Sequence, residues 1–343
     1  MKIIYRPDHY RQNPKGVFWQ GQLDHYHESP VRAENILRDI EQRGLGEIIE
    51  PQLFEQALLE RVHREDYLRF LRTVWQRAKP ENPEGKDLFP ACYVPRGQSA
   101  PPPEAVTAQL GYYSFDLSAP ITEGTWDAAY ASANVALTGQ QLLMAGERAV
   151  FSLCRPPGHH AGISYCGGFC FLNNAALAAQ ALRDNGVSRV ALLDVDFHHG
   201  NGTQDIFYQR SDVLFLSIHG HPDCHYPFFS GHRDERGAGE GHGFTYNYPL
   251  YASGSRGELW FEALDSAFGE IKRFKPEVLV VSLGVDTYKN DPVSGFELST
   301  EDYLVIGQKL SALALPTLFV MEGGYNVEAI GENVGNVLAG FSL

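Results

Sequence analysis

Four short stretches of this chain carry almost no polar residue: Ala149–Cys154, Val190–Leu193, Val213–Ile218 and Val278–Leu283. A fifth, Thr317–Met321, follows Pro316. All are rich in Val, Leu, Ile and Phe and lack an alternating polar side, the pattern of strands buried on both faces. Helical stretches lie between them: Asn173–Asn185 ends at Gly186, and Leu259–Phe274 stops before Pro276. The alternation predicts an α/β fold over residues 1–343, a single domain with an open parallel β-sheet sandwiched by helices.

The polar residues just past each run carry equal weight. AVFSLC leads into RPPGHH, VALL into DVDFHHGNGT, VLFLSI into HGHPD, VLVVSL into GVDT and LFVM into EGGY. Ligand sites of open α/β sheets lie off the carboxyl ends of the strands. Five segments therefore converge on one rim.

Composition narrows the partners. The chain has 28 basic and 42 acidic residues, a net charge of −14, which argues against nucleic acid and favours small cationic ligands. No run approaches the ~20 apolar residues of a spanning helix or the roughly 7–15 of a secretory core, so no membrane association is expected. Five cysteines without a Cys-x-x-Cys pair suit a reduced, cytoplasmic protein. The stretch Lys79–Pro103 departs from the rest: it holds seven prolines and little apolar periodicity, and reads as an inserted loop. Phe89, Cys92 and Tyr93 within it favour an ordered loop that packs on something.

In Asp194-Val195-Asp196-Phe197-His198, acidic and imidazole groups recur at period two, so an extended chain points all three to one side. Buried carboxylates need a cation, and this donor pair suits a divalent ion of borderline softness. A catalytic zinc site needs a third protein ligand. Asp286, just past Gly284, is the better candidate, and Glu322 competes for the place. Two carboxylates and one imidazole admit Fe2+, Mn2+ or Co2+ as well as Zn2+.

Pro156, Pro157 and Gly158 present His159 and His160 at a strand end, two groups suited to general acid and base work. Asn201 can set the tautomer of one imidazole, and Asp194, if it is not a ligand, can orient the other. Tyr325, in Glu322-Gly323-Gly324-Tyr325, can donate to a developing oxyanion beside a Lewis acid.

Taken in order and spacing, RPPGHH, DVDFHHGNGT, LSIH, SLGVDT and EGGY resemble the arginase–deacetylase superfamily on its histone deacetylase side. The finer resemblance is to bacterial acetylpolyamine amidohydrolases, through Gly111–Tyr113, Gly124–Trp126, FSLCRPPGHHAG, GTQDIFY and MEGGY. It extends from Ile3 to the C-terminus. The resemblance implies Asp196, His198 and Asp286 as zinc ligands, His160 as general base, His159 as its tandem partner and Tyr325 as the carbonyl-polarising phenol. It also implies a structural K+ site at the carbonyls of Asp194, Asp196, His198 and Ile218 with the Ser217 hydroxyl. A second K+ site would lie near Phe207, Arg210 and Val213. Phe169 and Tyr226 match the aromatic walls of the acyl-amine tunnel.

Two positions bear on the substrate. Asn201 stands where many histone deacetylases carry Asp, and the resemblance to acetylpolyamine enzymes implies Asn there; a neutral partner favours a free base near neutral pH. The loop after GYY offers Asp116 as the carboxylate for a distal ammonium. The expected reaction is hydrolysis of acetylputrescine, acetylcadaverine or acetylspermidine. The alternative is an acetyl-lysine deacetylase acting on peptides or proteins through the same groups. Relatives also lead us to expect a homodimer through the 79–103 insertion.

Overall fold

The described residues, 1–95, 101–252 and 257–343 of a computed structural model, form ten strands and nine α-helices. The strands are β1 (Lys2–Ile4), β2 (Val17–Trp19), β3 (Gln22–Asp24), β4 (Glu47–Ile49), β5 (Ala149–Ser152) and β6 (Val190–Asp194). They continue as β7 (Val213–Gly220), β8 (Thr245–Leu250), β9 (Val278–Leu283) and β10 (Thr317–Met321). The first helices are α1 (Val31–Arg43), α2 (Glu65–Ala78), α3 (Val106–Tyr112), α4 (Thr125–Met144) and α5 (Asn174–Asp184). The rest are α6 (Asn201–Phe207), α7 (Gly257–Phe274), α8 (Thr300–Ser311) and α9 (Ile330–Ser342).

Eight strands make one sheet in the order β4-β1-β5-β10-β9-β6-β7-β8, and every pairing in it is parallel. Neighbouring residues of a strand point to opposite faces. Val150, Leu192, Phe215, Val280 and Leu318 therefore pack under α2, α4 and α5, with Phe70, Val135 and Leu177. Their neighbours Phe151, Leu193, Leu216, Val281 and Phe319 pack against the other layer, with Ile36, Leu264, Ile306 and Val337. Both faces are covered, so neither needs a polar side. Full burial of each such side chain contributes about 1.5–3 kcal/mol. On α4, Gly139 lets the helix lie against β5: a Cβ there would come within 2.4 Å of the Ser152 Oγ.

Several elements differ from the expectation. The first run is shorter than predicted, since β5 ends at Ser152; the third is longer, since β7 reaches Gly220. Strands β1 and β4 were not legible because three residues carry no periodicity. Strand β8, TYNYPL, is interrupted by Asn and Pro, and Pro249 is tolerated on the sheet's edge.

Two elements stand apart from the sheet and reach towards its carboxyl end. Strands β2 and β3 form an antiparallel hairpin pairing Val17 with Asp24. The described part of the Pro-rich stretch packs on its own chain: Leu88 and Ile121 exchange backbone hydrogen bonds, and Phe89 meets Phe18 edge-on at 4.8 Å. Its residues 96–100 lie outside the described residues.

Candidate active site

Beyond β6 the chain turns at once, and Asp196 and His198 face Asp286, which arrives from β9. One donor atom from each lies within 4.8 Å of the others. His198 Nδ1 is 2.9 Å from Asp286 Oδ2 and 3.2 Å from Asp196 Oδ1. The other carboxylate oxygens are held by backbone: Gly323 N–H donates to Asp196 Oδ2 at 2.8 Å, and Phe197 N–H to Asp286 Oδ1 at 2.8 Å. Glycines permit this crowding. A Cβ at Gly284 would lie 2.1 Å from Asp196 Oδ2, and one at Gly323 2.5 and 2.7 Å from the two carboxylates.

The trio fits a divalent cation. Burial, and then Asp196 close by, pushes the Asp286 carboxyl up to about 7, so the pair calls for positive charge. Glu322, the competing third ligand, faces elsewhere: its oxygens accept from Gly158 N–H at 2.7 Å, His159 N–H at 3.1 Å and the Ser282 hydroxyl at 3.1 Å. Glu322 thus anchors the histidine loop. A second buried trio, His159, Cys170 and Glu322, has equally close donors, but burial keeps the Cys170 thiol protonated and it donates to the Gly168 carbonyl.

The two adjacent imidazoles have opposite surroundings. His159 Nδ1 lies 2.9 Å from Asp194 Oδ2, and His160 Nδ1 lies 2.7 Å from Asn201 Oδ1. Burial works against charge on both. At His159 the carboxylates of Asp194 and Asp196 outweigh it and raise the pKa to about 10. At His160 burial prevails, reinforced by the charges of His159 and His198, and the pKa falls well below the usual value. The two carboxylates thus favour the charged form of His159. His160 is a neutral base, with Nδ1–H engaged by the Asn201 oxygen and the Nε2 lone pair free.

Tyr325 closes the far side. Burial raises its pKa, so the phenol keeps its proton and can donate. Three groups not singled out in the sequence fix its loop. Asp291 accepts from Tyr325 N–H at 2.7 Å, Val293 N–H at 3.0 Å and Asn326 N–H at 3.2 Å. Arg32 lies over the Tyr325 ring at 4.7 Å and donates to the carbonyls of Gly324 and Glu322. Buried Glu28 sits between Arg32, at 2.7 Å, and Arg155, at 2.8 Å. The i, i+4 spacing of Glu28 and Arg32 was the signal available for that pair.

His160, His198, Phe169, Tyr226 and Tyr325 line a cavity of about 370 Å³ that opens past Trp19 and Phe228. Phe169 stands 5.6 Å from the Tyr325 ring, and Tyr226 5.1 Å from that of His160. Asp116 requires a correction. Its carboxylate accepts from the Tyr226 hydroxyl at 2.8 Å, Ser118 N–H at 3.1 Å and Gly168 N–H at 3.2 Å. It braces the tunnel wall and has no oxygen left facing a substrate ammonium.

The residues expected at the K+ sites fall in two places. Ser217 lies opposite Asp194 in the β6–β7 register, with its hydroxyl 2.8 Å from His219 Nδ1, and Ile218 follows it. Phe207 closes α6 and accepts from Arg210 N–H at 3.0 Å, while Val213 opens β7.

Comparison with known proteins agrees with this geometry. Residues 26–341 match the histone deacetylase domain. The chain is 52% identical over 343 residues to acetylpolyamine amidohydrolase 1 of Pseudomonas aeruginosa, covering 99% of each. It is 46% identical to the acetylpolyamine amidohydrolase of Mycoplana ramosa, again over 99% of each. The crystal structure of the acetylpolyamine aminohydrolase from Burkholderia pseudomallei superposes with a TM-score of 0.95 at 41% identity, covering 100% of this chain and 98% of that one. With its parallel sheet, its tandem imidazoles and its carboxylate–imidazole trio, this chain belongs to the histone deacetylase family, whose members are metal-dependent amide hydrolases.

Proposed function

We propose that this protein is a zinc-dependent acetylpolyamine deacetylase, releasing acetate and a free amine from acetylputrescine, acetylcadaverine or acetylspermidine. One observation carries the reading: His160, Tyr325 and His198, the last clustered with Asp196 and Asp286, border one narrow, aromatic-walled cavity. The Pseudomonas and Mycoplana relatives share this reaction in name and nearly the full length of the chain.

Asp196, His198 and Asp286 would hold the ion, which when bound polarises the acetyl carbonyl and makes water more acidic. His160 Nε2 takes the proton of the attacking water while its Nδ1–H stays on Asn201. The water oxygen forms a bond to the acetyl carbon, and the carbonyl π pair moves to oxygen, where the Tyr325 hydroxyl donates to it. The oxygen pair then returns to re-form the carbonyl as the C–N bond breaks, the C–N pair stays on nitrogen, and His160 returns its proton there. Asp194-paired His159 holds positive charge beneath these steps. Phe169 and Tyr226 flank the methylene arm and keep water from its sides.

The same reading includes structural K+ at two sites, one around Ser217 and one near Val213. It also includes a homodimer through residues 79–103, whose Tyr93 and Val94 are 39% and 40% exposed. A cytoplasmic location suits five cysteines that form no disulfide; none of the described helices is long and apolar enough to cross a membrane. Metal-stripped enzyme reconstituted with Zn2+ should release acetate from acetylated diamines and triamines faster than from acetyl-lysine peptides. Preference for the peptides would overturn the substrate assignment, and light scattering at the monomer mass would overturn the dimer.

A further inference from the structure

With Asp116 engaged as a brace, the cavity that contains the reacting groups has one formally charged side chain outside the cation-binding trio. It is Asp24, at the end of β3. Among the described residues, neither Lys nor Arg lines this cavity and Asp24 takes part in no ion pair. Its Oδ1 accepts only from the N–H of the next residue, His25, at 2.7 Å, which leaves Oδ2 open to a ligand. The hairpin is what brings it there: Asp24 pairs with Val17, whose buried side chain lines the same cavity.

The surroundings suit an ammonium group. Trp19 and Phe228 present aromatic faces at the same opening, and such faces attract cations. His25 and His27 lie beside Asp24, their rings 5.1 Å apart. Burial, and then His25, lowers the His27 pKa, with Asp24 working the other way. The other cavity on this side, about 410 Å³, has Asp116 as its carboxylate, and that group is already satisfied by protein donors.

We infer that Asp24 is the distal-ammonium subsite: the arm of an acetylated diamine lies between the aromatic walls with its free amine against the Asp24 carboxylate. This rests on the deacetylase reading and makes the β2–β3 hairpin the element that selects a cationic arm over a neutral one.

The test compares acetylcadaverine with its uncharged counterpart N-pentylacetamide, using zinc-loaded enzyme. The wild-type protein should favour the cationic substrate in kcat/KM, through KM, and raising the salt concentration should erode that preference. Asp24→Asn should shrink the preference by about three- to fivefold, as expected for an exposed ion pair, and Asp24→Lys should shrink it further. Asp24→Glu should restore part of it. If Asp24→Asn and Asp24→Lys keep the wild-type preference and salt dependence, the subsite assignment is wrong while the deacetylase reading stands. If the wild type hydrolyses neither substrate nor any acetylated amine, the deacetylase reading itself fails, and this one with it.

Discussion

The floor and the mouth of the cavity are built on different principles. On the floor, Asp194, Asp196, Asp286 and Glu322 are fully buried, and each carboxylate has a protein partner. At the mouth, Trp19, Phe228 and Phe229 are 48%, 41% and 79% exposed, and Asp24 has an unengaged oxygen. The floor is assembled by strand ends that the sheet fixes in register. The mouth is assembled by a hairpin outside that sheet and by loops that leave its strands. On the proposed reading, chemistry sits where the sheet fixes the register and selectivity where hairpin and loops meet, a division common to enzymes with loops on α/β scaffolds.

The sharpest way to break that contrast is at the floor. Chelation should abolish turnover, and Zn2+ or Co2+ should restore it; activity that survives exhaustive stripping, checked by elemental analysis, would remove the trio from the reaction. Tyr325→Phe should lose about 10²–10³ in kcat, the usual cost of one oxyanion donor, with little change in KM or in thermal stability. One step out, Asp291→Asn retains the phenol but loosens the loop that carries it. It should lower kcat by about ten- to hundredfold through misplacement of the hydroxyl. That loss should largely vanish in a Tyr325→Phe background, where steady-state kinetics would show the two effects failing to multiply.

Stability should separate the regions as well. Burial lowers the pKa of His63 and His219 to about 4, against 6.5 for a free imidazole. Their contribution is complete above pH 6.5 and is lost as pH falls towards 4, because the unfolded chain takes up those protons first. Each costs roughly 1.4 kcal/mol per pH unit inside that window. Urea midpoints at pH 7, 6 and 5 would show the decline, and a flat profile would mean these rings already carry charge in the fold. The smallest effects belong to the mouth. Trp19→Ala and Phe228→Ala should raise KM about two- to fivefold, leave kcat near wild type and barely move the melting temperature.

Legibility in the sequence obeys the same division. Asp196 and His198 do meet, as a period of two predicts, although through a turn past β6 and not in an extended strand; the tandem histidines are legible from the Pro156-Pro157-Gly158 turn that presents them. Spacing favours Asp286 over Glu322 as the candidate third ligand, but both lie just past a strand and only the packed sheet shows that Asp286 faces the imidazole while Glu322 does not. Asp116 looked like a substrate group because its partners, Gly168 and Tyr226, lie 52 and 110 residues away. Arg155 was passed over because its buried carboxylate partner, Glu28, is 127 residues distant and both would ordinarily sit in water. The central strands were evident from burial on both faces, whereas β1 and β4 join the sheet through neighbours and carry too few residues to announce themselves.

Gly284 and Gly323 set a limit on redesign. Each lies where the first carbon of any other side chain would collide with a carboxylate oxygen. Saturating both codons in a directed-evolution library should therefore return the parental residue among active clones, however lenient the selection. The room for altering which amines are accepted begins some distance away, at exposed hairpin positions such as Trp19 and Leu23.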